Sequence, residues 1–177
     1  MRTIGWAALA AAAFAGTAAQ AKGDLDATIV RTTYGIPHVS ADSWEGIGYG
    51  VAYAYAQDNL CLLAEEFATV RGERSLYFGP EGKVLHGSQE VDNLSSDVFM
   101  RSVIDLPRLR AGASAQGPEA NQLAAGYVAG YNRFLRDAGT DGIPAECRGK
   151  PWVKPITTDD MLRLTEKQML LASAMPF

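Results

Sequence analysis

Few residues of this 177-residue chain have the chemistry of a reacting group, so those few set the first question. There are two histidines, His38 and His86, and two cysteines, Cys61 and Cys147. A polar triplet, Gln57-Asp58-Asn59, is followed by an acidic pair, Glu65-Glu66. A hydrolase built on serine needs a hydroxyl beside a base, but no serine lies in a Gly-x-Ser-x-Gly elbow. There is also no phosphate-binding glycine loop and no pair of histidines at metal-ligand spacing. His38 follows Pro37 in a turn, where support of the backbone competes with a role as base. Gln57 and Asp58 read as a buried hydrogen-bond network between a helix and a strand. Glu65 and Glu66 read as a helix face within reach of Arg71 or Arg74. The cysteines, 86 positions apart, resemble no metal motif. In an oxidising compartment they suggest one disulfide, with two separately buried thiols as the alternative.

The compartment follows from the first 21 residues. Arg2 precedes an alanine-rich apolar run from Trp6 to Ala19, and Ala19-Gln20-Ala21 has the small-x-small pattern of a signal peptidase site. Export to the periplasm is expected, with a mature chain over 22–177. The run is too short and too alanine-rich to anchor in a bilayer. A net charge of −4 without a Lys/Arg cluster argues against nucleic acid and against a polybasic membrane patch.

The elements that must position these groups are mainly helical. Ala27–Thr33 is β-branched and leads through the turn Tyr34-Gly35-Ile36-Pro37 into His38-Val39-Ser40, which together predict a hairpin. Ser43 is a candidate N-cap for a helix over Trp44–Val70, with Gly72 placed to end it. Gly46, Gly48 and Gly50 weaken that helix, which implies that another backbone comes close. Short helices are expected over Asp92–Val103 and Pro107–Ala111, and a longer one from Pro118 to Arg136. Gly139–Pro155 reads as a loop holding Cys147 and anchored by Trp152. A final helix is expected with Thr158 as its cap. An isolated hairpin is marginal in water, and the chain stops on an apolar Ala-Met-Pro-Phe. Both features predict a partner chain.

A resemblance extends this reading. Arg31-x-x-Tyr34-Gly35-Ile36-Pro37-His38-Val39, Gly48-Tyr49-Gly50 and Ala54-Tyr55-Ala56-Gln57-Asp58 resemble the start of the small chain of penicillin-acylase-family N-terminal nucleophile hydrolases. Arg71-Gly72-Glu73 through Phe78-Gly79 continues the likeness. Asp58-Asn59-Leu60-Cys61 and Pro144-Ala145-Glu146-Cys147 are similar to the branch containing aculeacin A acylase and the acyl-homoserine-lactone acylases. Asn59 stands where the family commonly has arginine.

The resemblance implies an α+β fold: a mostly helical small chain with an N-terminal hairpin, forming part of an αββα heterodimer. The partner would be a large chain from the same precursor, released by autocatalytic cleavage and carrying the N-terminal serine nucleophile. No catalytic residue would then lie in this chain, and no metal or organic cofactor is implied. Met169, Leu170 and Ser173 would line the acyl pocket, while Gln57, Asp58 and His38 would give structural support near the site. The glycines of the first long helix would pack on a sheet of the large chain. The implied activity is deacylation of N-acyl-homoserine lactones, a quorum signal, or of related lipid amides. The alternatives are a penicillin or cephalosporin acylase subunit and, from another class, a non-catalytic periplasmic binding module.

Overall fold

The computed structural model describes residues 25–174, so the expected leader over 1–21 and the last three residues lie outside the described residues. β1 (Thr28–Arg31) and β2 (Pro37–Ser40) form an antiparallel hairpin in which Val30 opposes His38 and Arg31 opposes Pro37. Its turn closes through Gly35, at φ +81°, whose N–H donates to the Thr32 carbonyl. α1 (Trp44–Val70) begins where expected, with Ser43 Oγ accepting from the Gly46 N–H at 3.0 Å. It ends in a Schellman arrangement: Gly72, at φ +65°, donates to the Thr69 carbonyl and Glu73 donates to that of Ala68.

Three elements are not among those the sequence predicts. α2 (Arg74–Phe78) is one short helix whose first N–H groups, those of Arg74 and Ser75, are taken by the Asp97 carboxylate at 2.8 Å each. β3 (Lys83–His86) and β4 (Gln89–Asp92) form a second hairpin closed by Gly87-Ser88, with Gly87 at φ +62°. The N-terminal hairpin is therefore not the chain's one β element. α3 (Asn93–Val103) and α4 (Leu106–Ala115) follow, capped by Asp92 and Asp105. α4 runs beyond the expected Ala111. α5 (Pro118–Ala138) and α6 (Thr158–Ala174) complete the order.

The cap of α6 lies one residue before the expected Thr158. Thr157 offers its carbonyl to the Asp160 N–H, while the Asp160 carboxylate accepts from the Thr157 N–H and hydroxyl. The reach of the Asp160 carboxylate back to the Thr157 N–H is one half of a capping box, with aspartate as the acidic member; the Thr157 hydroxyl donates to that carboxylate instead of accepting from the Asp160 N–H.

The core forms where α1 and α5 cross. Leu60, Leu63, Phe67 and Val70 meet Tyr131 and Phe134, and the segment after α5 adds Cys147, Trp152 and Ile156. Cys61 and Cys147 are joined in a disulfide that ties this segment to α1. Asn132 fixes its far end, since the Asn132 amide both donates to and accepts from the backbone of Ile156.

The glycines of α1 serve contacts inside the chain. A Cβ at Gly48 would sit 2.1 Å from the Leu123 carbonyl oxygen of α5, and one at Gly50 would meet Val39 of β2. From the other side, Cβ atoms at Gly126 and Gly130 would fall 1.9 and 2.1 Å from the Glu45 and Tyr49 carbonyl oxygens. The close backbone approach expected of α1 is thus made to α5 and to the hairpin.

Candidate functional site

Two regions collect the residues singled out above. The first joins the hairpin to α1. The Arg31 guanidinium donates to Asp58 Oδ2 and Gln57 Oε1 at 3.0 Å each, and also to the Gly35 carbonyl at 2.8 Å. One cation so ties together the turn, the strand and the polar pair of α1. The network joins helix to hairpin as expected, but at the surface rather than buried: the Arg31 and Asp58 side chains are 33% and 42% exposed. Arg31 also reaches the Ala54 carbonyl, one turn before Asn59 leaves helical dihedrals at φ −139° and ψ 32°. A side chain that engages the carbonyl ladder is a known cause of such a kink.

His38 is not part of this network. Val39 faces Gly50 of α1, and strand residues alternate between faces. His38, opposite the exposed Val30, therefore points to the other side of the hairpin, where it is exposed.

The second region is α6 and what holds it. Asp160 receives a two-pronged ion pair from Arg71 of α1, at 2.7 Å to Nε and 2.8 Å to Nη2. Burial alone would push the Asp160 carboxyl up; the Arg71 guanidinium and the Thr157 N–H and hydroxyl outweigh it and hold the group below the ordinary aspartate value. Two turns on, Lys167 pairs with Glu66 of α1. Glu65, the neighbouring carboxylate, instead meets the buried Arg74 at 2.9 Å. Arg71 and Arg74 thus take different partners, and the acidic pair is split between two elements. His86 lies beside this cluster and shares a 2.9 Å hydrogen bond with Ser96. Its burial, and then the Lys167 charge, lower its pKa, while Glu66 opposes them.

On the outward side of α6, Met169 is 62% exposed and Ser173 is also exposed, its hydroxyl donating to the Met169 carbonyl at 2.6 Å. Leu170 is half-buried between that face and the body. The three expected pocket residues therefore occupy one stretch of α6, with the methionine and the serine on a single open face. Two cavities, of about 520 and 350 Å³, lie elsewhere, one beside Leu135, Ile143 and Val153, the other beside Met100, Ile104 and Arg163. Neither of these two cavities is lined by Met169, Leu170 or Ser173.

Among the described residues no group of three His, Cys, Asp or Glu side chains is placed to hold a metal ion, and no helix is long and apolar enough to cross a membrane. Sequence reasoning missed Lys167, Gly126 and Gly130. The Gly-x-x-x-Gly spacing on α5 was a visible signal for the two glycines.

Residues 26–173 match the penicillin amidase family, and the chain belongs to that family. It is 46% identical over 94% of its length to "Acyl-homoserine lactone acylase PvdQ" of Pseudomonas putida. It is 35% identical over 86% of its length to "Aculeacin-A acylase" of Actinoplanes utahensis. It spans about a fifth (21% and 20%) of these two relatives. Among solved structures it resembles a thermostable penicillin G acylase from Alcaligenes faecalis, with a TM-score of 0.69 and 25% identity, covering 84% of this chain and 74% of that one.

Proposed function

We propose that this chain is the small subunit of a periplasmic, heterodimeric amide hydrolase that removes the acyl chain from N-acyl-homoserine lactones or related lipid amides. The observation that carries the reading is the open Met169–Ser173 face of α6, on a chain 46% identical to a protein named as an acyl-homoserine lactone acylase. The sizes support two chains: the penicillin acylase chain it resembles is nearly as short as this one, because the overlap covers most of both.

In this reading the large chain supplies the reacting groups. Its N-terminal serine Oγ attacks the amide carbon while the α-amine takes the hydroxyl proton. The C–N bond then breaks, the proton passes to the leaving amine, and water hydrolyses the acyl-serine ester. This chain contributes one wall of the acyl pocket. Met169 gives an adaptable apolar surface and Leu170 continues it; Ser173 leaves space where a bulky side chain would shorten the pocket. Gln57 and Asp58 act at a distance by fixing the hairpin through Arg31, and His38 lies on the hairpin face turned away from α1. The leader-like first 21 residues and the Cys61–Cys147 disulfide support an oxidising compartment.

The likeness to a penicillin G acylase favours a second reading, β-lactam acylase activity. Side-by-side hydrolysis of a long-chain N-acyl-homoserine lactone and of penicillin G separates the two. The lactone is expected to have the higher kcat/KM by roughly tenfold or more, the scale that pocket fit alone can supply. Penicillin G turning over far faster would overturn the lactone assignment.

A further inference from the structure

Along α6, the described residues that are fully buried are Asp160 and Lys167, and both are charged. Residues 161–164 are half-buried, and those from 168 to 173 are half-buried or exposed. The second half of the helix therefore has one deep attachment, the Lys167 ammonium on the Glu66 carboxylate of α1. Lys167 is 5% exposed. Methionine would fill similar space without the cost of desolvating a charge. Burying a lysine here therefore contributes something other than packing.

The sign pattern indicates what that is. α6 runs antiparallel to the end of α1, so that Asp160 meets Arg71 while Lys167 meets Glu66. The charges are negative then positive along α6, and negative then positive along α1. A single axial setting satisfies both pairs, and sliding α6 by two turns would bring Asp160 towards Glu66, like charge against like. At the N-terminal end the first turn has further ties, including Asp159 to Arg110 of α4 at 2.9 Å. Towards Met169, among the described residues, the one side-chain hydrogen bond or ion pair to another element is that of Lys167. Two residues of helix turn by about 200°, so Met169 faces outward where Lys167 faces inward. Any shift or roll at Lys167 is passed directly to Met169.

We infer that Lys167 is a positioning residue for acyl-chain selection: through Glu66 it sets the height and roll of α6, and so the depth of the pocket that Met169, Leu170 and Ser173 line. This rests on the reading of that face as the acyl-pocket wall.

The test uses the processed enzyme from the full reading frame, with a short-chain and a long-chain N-acyl-homoserine lactone as probes. Lys167→Met and Glu66→Gln are each expected to change the long-to-short ratio of kcat/KM by roughly tenfold. The change should lie mostly in KM, because the pocket holds ground state and transition state alike. Lys167→Arg and the exchange Glu66→Lys with Lys167→Glu should return the ratio to within about threefold of wild type, a recovery that a merely damaged fold would not give. Met169→Ala serves as the reference. If it shifts the ratio while Lys167→Met and Glu66→Gln do not, the positioning role is wrong and the pocket reading stands. If Met169→Ala leaves the ratio unchanged, the pocket reading fails and takes this inference with it. Where the single variants do not accumulate as folded enzyme, the exchange variant decides, and an altered ratio in it overturns the inference.

Discussion

Gly126→Ala is expected to destabilise the protein by about 3 kcal/mol or more, the upper end of what overpacking costs. The added methyl group would stand 1.9 Å from the Glu45 carbonyl oxygen and 2.9 Å from the Tyr49 nitrogen, both of them backbone atoms. A flexible side chain could swing away from such a clash; a helix backbone cannot. Relief requires α1 and α5 to separate, which opens the packing of Phe67 on Tyr131 and of Tyr53 on Phe134. Gly112→Ala is the matched control, because the same change in α4 meets nothing within 4 Å. There it should be neutral or stabilising by up to about 1 kcal/mol, through helix propensity alone. Urea midpoints of the two variants against wild type measure the contrast. Equal effects at the two positions would mean that α1 and α5 do not approach as described.

The second large effect is expected at Asp160. Its side chain is 4% exposed and that of Arg71 is 10% exposed, so Asp160→Ala leaves a guanidinium buried without its counter-charge. Breaking a buried pair from one side costs about 3–5 kcal/mol, and here the variant also loses the acceptor for the Thr157 N–H and hydroxyl. A loss below about 1 kcal/mol, the worth of an exposed pair, would contradict this. The pH dependence has a definite sign. The folded carboxyl titrates below the ordinary value, so the pair's contribution is fully present above about pH 4 and is lost as pH falls through the folded value. In Asp160→Ala, stability should fall less steeply with acid across that window.

The helices were legible in the sequence where local chemistry fixes them. Ser43 and Gly72 mark the ends of α1 through a cap and a positive φ, and both are properties of single residues. The cap of the last helix is ambiguous in the sequence because Thr157 and Thr158 offer the same side chain. The structure distinguishes them by the reach of Asp160 back to Thr157. β3 and β4 give a weak sequence signal because each is four residues long and carries exposed polar side chains, although Gly87-Ser88 between them is a two-residue hairpin signal. At five residues, α2 is too short to show a helical period.

What a glycine makes room for is another matter. The sequence shows that α1 needs a close neighbour, but the identity of that neighbour depends on how α5 returns across it. Lys167 is hidden for the same reason. A lysine between Glu166 and Gln168 reads as a solvated face, and only the antiparallel seating of α6 on α1 buries it. The candidate site was legible through resemblance rather than through the residues themselves, because the groups that break the amide bond are not expected in this chain.

The most direct test of the subunit reading is intact-mass and N-terminal analysis of the protein expressed from its full reading frame and purified from the periplasm. Two co-purifying chains are expected, this one without its first 21 residues and a larger one whose first residue is serine. A folded, monomeric chain of this size purified alone, with no larger serine-started chain beside it, would contradict the amide-hydrolase reading and leave a non-catalytic binding module in its place.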